Sequence, residues 1–192
     1  MSVRELSSVL RADLYRNHGA QGWRGFLKTY MRQPAFRYIF WMRLAGWLQA
    51  NKYLFAGYWF ALWQYCRLGV KYGINIPHTT RIGPGLFIGH FGGIVVHERS
   101  SIGRNFSISQ GVTIGQKNRG RYKGWPTIGN SVYVGPGACI IGSVSVGSNV
   151  AIGANAVVVH DVEDNEVVVG NPAHSVSKGG ADSYVTWPCS DA

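Results

Sequence analysis

Residues 127–158 read TIGNSVYVGPGACIIGSVSVGSNVAIGANAVV, and in them Ile128, Val134, Ile140, Val146, Ile152 and Val158 stand six apart. Moving toward the N-terminus, the same spacing joins Ile102, Ile108 and Ile114, and before them Ile76, Ile82, Ile88 and Ile94. A period of two suits a half-buried strand and a period of 3.6 suits a helix, so a strict six suits neither. It fits a solenoid in which each hexad is one short strand and one corner. Small residues four past the aliphatic position (Val112, Val132, Ala138, Val144, Val150, Ala156) fill the rest of a narrow core. Gly83, Gly103, Asn130 and Asn149 are expected at corners needing positive φ. The register slips by two residues between Ile94 and Ile102 and by eight between Ile114 and Ile128, which predicts loops protruding from the stack.

The residues before this repeat have a different character. Up to Gly73 there are 11 Lys/Arg against 2 Asp/Glu and 17 of the 25 aromatics, whereas the rest has 8 Lys/Arg against 7 Asp/Glu. The net charge of +10 therefore belongs to the first third. Phe36, Ile39, Phe40, Leu44, Trp47 and Leu48 follow helical spacing after Pro34, with Arg37 and Arg43 off the stripe. A second helix is predicted from about Tyr53 to Leu68, after a turn near Gln49 to Lys52. Ser2 to Arg16 reads as a shorter amphipathic helix with Leu6, Val9 and Leu10 inward, followed by a glycine-containing break over Gly19–Gly25. The expected organisation is a helical segment at 1–72, a β domain at 73–176 and a tail at 177–192.

A chain of 192 residues, 46% hydrophobic and 15% charged, supports one good core and is not disordered. Cys66, Cys139 and Cys189 are odd in number and widely spaced, so neither a disulfide framework nor a metal site is expected. No secretory signal is read at the N-terminus. The longest uncharged run there, Tyr53 to Cys66, is 14 residues. As helix it would span about 21 Å against a hydrocarbon core of roughly 30 Å, too short to cross a bilayer.

The stretches Ile88-Gly89-His90-Phe91-Gly92-Gly93-Ile94-Val95-Val96 and Ser109-Gln110-Gly111-Val112-Thr113-Ile114-Gly115 resemble the core of serine acetyltransferases, and more closely their relatives that O-acetylate sugars of exopolysaccharides and capsules. The resemblance implies a left-handed parallel β-helix of hexapeptide repeats with three hexads to a triangular coil. The thirteen hexads then make a little over four coils. It also implies acetyl-CoA as donor, a homotrimer, and a cleft between subunits with a histidine as general base.

His90 matches that histidine. A hydroxyl has too high a pKa to attack a thioester unaided, and a neutral imidazole can take its proton; the alternative is a corner histidine with one backbone hydrogen bond. Serine acetyltransferases place an Asp fifteen residues before the base, and here that position is Asn75, either an orienting amide or a corner residue. His97 and Glu98, near the first slip, are spare candidates. The family's Asp before the base and its Arg-His pair before a later Pro are replaced by Gly89 and by Gly124-Trp125-Pro126. This favours a sugar acceptor stacked on Trp125. The insertion Gln116–Gly124 carries four cations and is either a solvated loop or a contact for CoA phosphates or an anionic glycan, through Arg119 and Lys123. The resemblance further implies that Gly115, Gln116, Pro136 and Ala154 line the pantetheine track. His18, His78, His160 and His174 match no motif and read as surface or structural. The tail ends in Asp191-Ala192 where serine acetyltransferases carry the terminal Ile that docks cysteine synthase.

The expected function is thus O-acetyl transfer to a surface polysaccharide or its lipid-linked precursor. The alternatives are serine O-acetyl transfer, acetylation of an amino sugar or amino acid, and a non-catalytic basic module binding membrane or nucleic acid; helical rather than strand-like aromatics argue against nucleic acid. The protein is expected in the cytoplasm, its helical third touching the anionic inner face of the cell membrane or capping the trimer.

Overall fold

A computed structural model describes residues 2–51 and 55–189. Four helices come first: α1 (Val3–Tyr15), α2 (Gly22–Arg32), α3 (Pro34–Ala50) and α4 (Phe55–Tyr72). Ser2 caps α1 with its hydroxyl on the Glu5 amide, and the Glu5 carboxylate answers on the Ser2 amide, satisfying two amides that a helix start leaves open. Helix α2 occupies part of what the sequence reads as a break, which shrinks to Gly19–Gln21. Its apolar stripe is exposed, so a search for inward-facing residues passes over it. Helix α4 runs on past Leu68 to Tyr72; Lys52 and Tyr53 lie outside the described residues, as do Asp191 and Ala192.

Fifteen short strands follow: β1 (Ile74–Asn75), β2 (Arg81–Ile82), β3 (Phe87–Ile88), β4 (Ile94–Val96), β5 (Ser101–Ile102), β6 (Ser107–Ile108), β7 (Thr113–Gly115), β8 (Thr127–Ile128), β9 (Tyr133–Val134), β10 (Cys139–Ile141), β11 (Ser145–Val146), β12 (Ala151–Ile152), β13 (Val157–Val158), β14 (Val167–Val169) and β15 (His174–Ser177). Pairing is parallel between every third strand up to β13, and β14 then pairs with β12, which builds three faces: A (β1-β4-β7-β10-β13), B (β2-β5-β8-β11) and C (β3-β6-β9-β12-β14), the last closed by antiparallel β15. This is a left-handed parallel β-helix. The repeat continues beyond Val158: Val162 bridges Val146 in parallel and Val168 pairs with Ile152, so a fifth coil is present. A contraction to four residues between Val158 and Val162 hides it from a search for sixes.

Apart from the partly buried Ile82, the aliphatic residue of each hexad is buried against those above and below. Apolar burial contributes roughly 25 cal/mol per Å², and a column one residue wide gains it on every coil. The glycine after it has another purpose than the sequence suggests. Gly83, Gly103 and Asn130 do not have positive φ; the left-handed residues of that corner are Gly85, Asn105, Ser131, Asn149 and Asn165. At Gly83 a Cβ would lie 2.7 Å from the Arg104 amide nitrogen, and at Gly129 2.7 Å from the Gly147 carbonyl carbon. Coils stack too closely there for a side chain.

The helices cap the first coil. Tyr38, fully buried on α3, donates its hydroxyl to the Ile76 carbonyl and accepts from the Ile76 amide, and Tyr65 of α4 donates to the same carbonyl. Arg43, off the apolar stripe, is nonetheless partly buried in an ion pair with the fully buried Asp13 of α1. The tail runs back along the corner between faces B and C. Ala181 donates to Asn149, Tyr184 stacks on Tyr133, and Cys189 exchanges hydrogen bonds with Asn105. Helix α1 closes the same corner at its base, so two corners remain open, and they border face A.

Candidate active site

Between faces C and A, the residues two past the last aliphatic of β3, β6, β9 and β12 are His90, Gln110, Pro136 and Ala154. Backbone bonds hold this corner in register: Gly111 N to Gly92 O at 2.7 Å, Gly137 N to Gln110 O at 2.9 Å and Asn155 N to Pro136 O at 2.8 Å. The result is a column that rises from His90 through Gln110 to the small residues Pro136 and Ala154. The His90 imidazole is exposed and makes no hydrogen bond among the described residues. Gly89 beside it is exposed as well, and Phe91 packs on Tyr72 of α4 with ring centroids 5.0 Å apart, so the helical cap braces this corner. Asn75 stands on the outward side of face A, on β1 beside Val95, and does not hydrogen-bond His90. The expected orienting amide is not engaged within one protomer.

The other open corner, between faces A and B, carries both register slips on successive coils. Its lower loop holds His97, Glu98 and Arg99, and its upper loop is the insertion Gln116–Pro126. His97 Nδ1 accepts from the Arg99 amide at 3.2 Å, which leaves the proton of the neutral ring on Nε2. The imidazole stacks on the Trp125 indole at 6.1 Å and 9°, and the Arg99 guanidinium lies 5.1 Å from the indole centroid. Glu98 and Arg99 approach to 3.9 Å while both exposed, a pairing worth little in water.

The cationic insertion is a built hairpin. Lys117 and Gly124 exchange backbone bonds of 2.8 and 2.9 Å, and Tyr122 packs on the core while its carbonyl accepts from the Ser143 amide. Gln116, Arg119 and Lys123 are exposed on it, and Gly115 ends β7 at its root.

The sequence-derived site therefore falls into two groups. Gly89, His90, Pro136 and Ala154 share the C/A corner; Glu98, Gly115, Gln116, Arg119, Lys123 and Trp125 share the A/B corner. The width of face A separates them in one protomer. Gln110 and Arg99 escaped the sequence reading: Gln110 is marked only by its alignment two residues past Ile108, and Arg99 only by its closeness to the first slip.

A three-sided β-helix with an open histidine corner of this kind defines the hexapeptide-repeat transferases, and residues 126–160 match the family described as bacterial transferase hexapeptide (six repeats). The serine acetyltransferase of Helicobacter pylori is 43% identical over 106 residues, which is 55% of this chain and 62% of that protein. Serine acetyltransferase from Brucella abortus in complex with coenzyme A superposes with a TM-score of 0.72 at 31% identity, covering 93% of this chain and 70% of that one. The soybean serine acetyltransferase complexed with serine gives 0.75 at 30% identity, covering 90% and 70%. The chain belongs to the serine acetyltransferase family of hexapeptide-repeat transferases. It spans 62% and 51% of the length of two curated relatives it matches.

These relatives overturn the expectation of a polysaccharide acceptor and of a closer kinship with capsule O-acetyltransferases. Gly89 and Trp125 suggested a sugar because they lack the charges of the family pattern. Arg99, which the sequence reading passed over, lies with Glu98 and Trp125 at the A/B corner and adds a charge of each sign there.

Proposed function

We propose that the chain transfers acetyl from acetyl-CoA to the hydroxyl of L-serine, as a homotrimer whose sites lie where the C/A corner of one protomer meets the A/B corner of the next. The observation that carries the reading is the exposed, unbonded His90 imidazole at the foot of a column that ends in the small residues Pro136 and Ala154, on a β-helix that aligns with serine acetyltransferases over most of its length. The occluded B/C corner supports the trimer: the two open corners border one face, and a threefold arrangement brings unlike corners together.

The residues present fit the donor. Pro136 and Ala154 leave the column shallow enough for a thin arm, and Arg119 and Lys123 on the hairpin suit phosphates. Gly115 and Gln116 line the arm from the neighbouring protomer. Acetyl-CoA supplies the acetyl thioester. His90 takes the proton of the serine hydroxyl as its oxygen attacks, then returns it to the departing sulfur, so the imidazole ends neutral. Arg99 holds the acceptor's carboxylate and Glu98 its ammonium, while His97 offers an Nε2 proton beside Trp125.

Thiol release from acetyl-CoA by the purified chain tests this. L-Serine should stimulate release, and His90→Ala should lower it by about 10² to 10⁴. Release that ignores serine, or wild-type turnover in the alanine variant, would overturn the proposal.

A further inference from the structure

Helix α2 displays two parallel ridges. Trp23, Leu27 and Met31, 72%, 49% and 68% exposed, recur every fourth residue, and Arg24, Lys28 and Arg32 form the next row. On its other side Phe26 and Tyr30 pack against α3: Phe26 meets Phe36 and Phe40, and the Trp41 indole donates to the Tyr30 hydroxyl at 2.9 Å. Trp41 also meets Phe60 of α4 at 5.5 Å, so α2 and α4 flank one indole. The outward side of α4 carries Trp59, Phe60 and Trp63, each more than half exposed, with Arg67 over the Trp63 ring at 5.7 Å. A soluble surface rarely gathers exposed tryptophans on neighbouring helices without a use.

Charge chooses the occupant. No Asp or Glu occurs between Asp13 and Glu98, so the apolar ridges are bordered by cations with no acidic residue among them. A second copy docked here would bring like charges together in a desolvated contact. Nucleic acid would meet the cations and leave Leu27 and Met31 in water. An anionic bilayer answers both rows, with phosphates for Arg24, Lys28 and Arg32 and acyl depth for Trp23, Leu27 and Met31. No helix among the described residues is long and apolar enough to cross a membrane.

We infer that α2 and α4 form a peripheral docking surface for anionic phospholipid, with α2 lying in the headgroup plane. None of the residues of this surface is among those at the two open corners of face A, so a soluble acceptor still reaches them.

Flotation of the full chain with vesicles tests it. Binding is expected to phosphatidylcholine–phosphatidylglycerol vesicles at low salt, weakened by added salt, and not to phosphatidylcholine alone. Each cation contributes roughly fivefold to partitioning, so Arg24→Gln/Lys28→Gln/Arg32→Gln should lose about a hundredfold. Trp23→Ala/Leu27→Ala should also stay at the bottom, and since both side chains are exposed its melting temperature and thiol release with free serine should match wild type. A wild-type chain that does not float, or variants that float as well as it does, would overturn the inference. So would a lipid-free oligomer that shrinks in Trp23→Ala/Leu27→Ala, which assigns the surface to a second copy, or capture by nucleic acid in preference to vesicles.

Discussion

The imidazole of His97 lies nearly parallel to the indole of Trp125, 9° apart with centroids at 6.1 Å, and this stack ties together the two insertions that break the hexad register. Both insertions sit at one corner on successive coils, so the interruptions of the repeat build one surface. Arg99 meets the same indole.

Trp125→Ala removes the platform that holds His97 and Arg99. An aromatic pair is worth about 0.5 to 1.5 kcal/mol, so the KM for serine should rise about two- to tenfold while the KM for acetyl-CoA moves little. Steady-state kinetics read both. An unchanged serine KM would remove this corner from the acceptor site.

Asp13 ties the helices to the β-helix. Its carboxylate accepts from Arg43 Nε at 2.9 Å and from the amides of Gly85 at 2.9 Å and Leu86 at 2.8 Å, and it is fully buried. Asp13→Ala strands two amides and leaves the Arg43 guanidinium without its counter-charge, though still on the Ile82 and Gly83 carbonyls, at a cost of about 3 to 5 kcal/mol. The melting temperature should fall by about 10 °C. A shift of a degree or two would show that α1 is held chiefly by its apolar contacts.

The hexads made the β-helix readable because each aliphatic residue has one place to go, inward. The candidate site was readable only where a motif pointed to it, as at His90. Its division between two corners was not, because a coil returns to the same corner only every eighteen or so residues and the slips fall between. Asp13 and Arg43 look like solvated charges in a linear reading; burial comes from a β corner some seventy residues on in the chain. Gly89 and Trp125 misled about the acceptor because a lost charge is visible in sequence, while the packing of Arg99 on Trp125 is visible only in three dimensions.

His160 gives a pH dependence. Its Nδ1 lies 3.0 Å from the Asp161 carbonyl oxygen and Nε2 2.6 Å from the Ala173 carbonyl oxygen, so both nitrogens donate and the imidazolium is favoured. The carbonyl of Asp161 first, then that of Ala173, raise its pKa above the ordinary histidine value. A raised folded-state pKa gives stability that is fully present below about pH 6.5 and lost as pH rises through the folded value. His160→Ala should therefore destabilise the last coil more in mildly acidic than in alkaline buffer. A histidine Cε1 resonance titrating at or below the ordinary value would contradict this.

The most direct test of a site shared between protomers is complementation in mixed trimers. His90→Ala removes the base from the C/A corner, and Gly115→Trp blocks the A/B corner, where even a Cβ would lie 3.1 Å from Ile141 Cδ1. Each variant alone should be inactive in serine-dependent thiol release from acetyl-CoA. Trimers assembled from equal amounts of the two should regain activity in about one quarter of their sites, those pairing an intact His90 with an intact neighbouring corner. Mixed trimers as inactive as their parents would contradict the shared site.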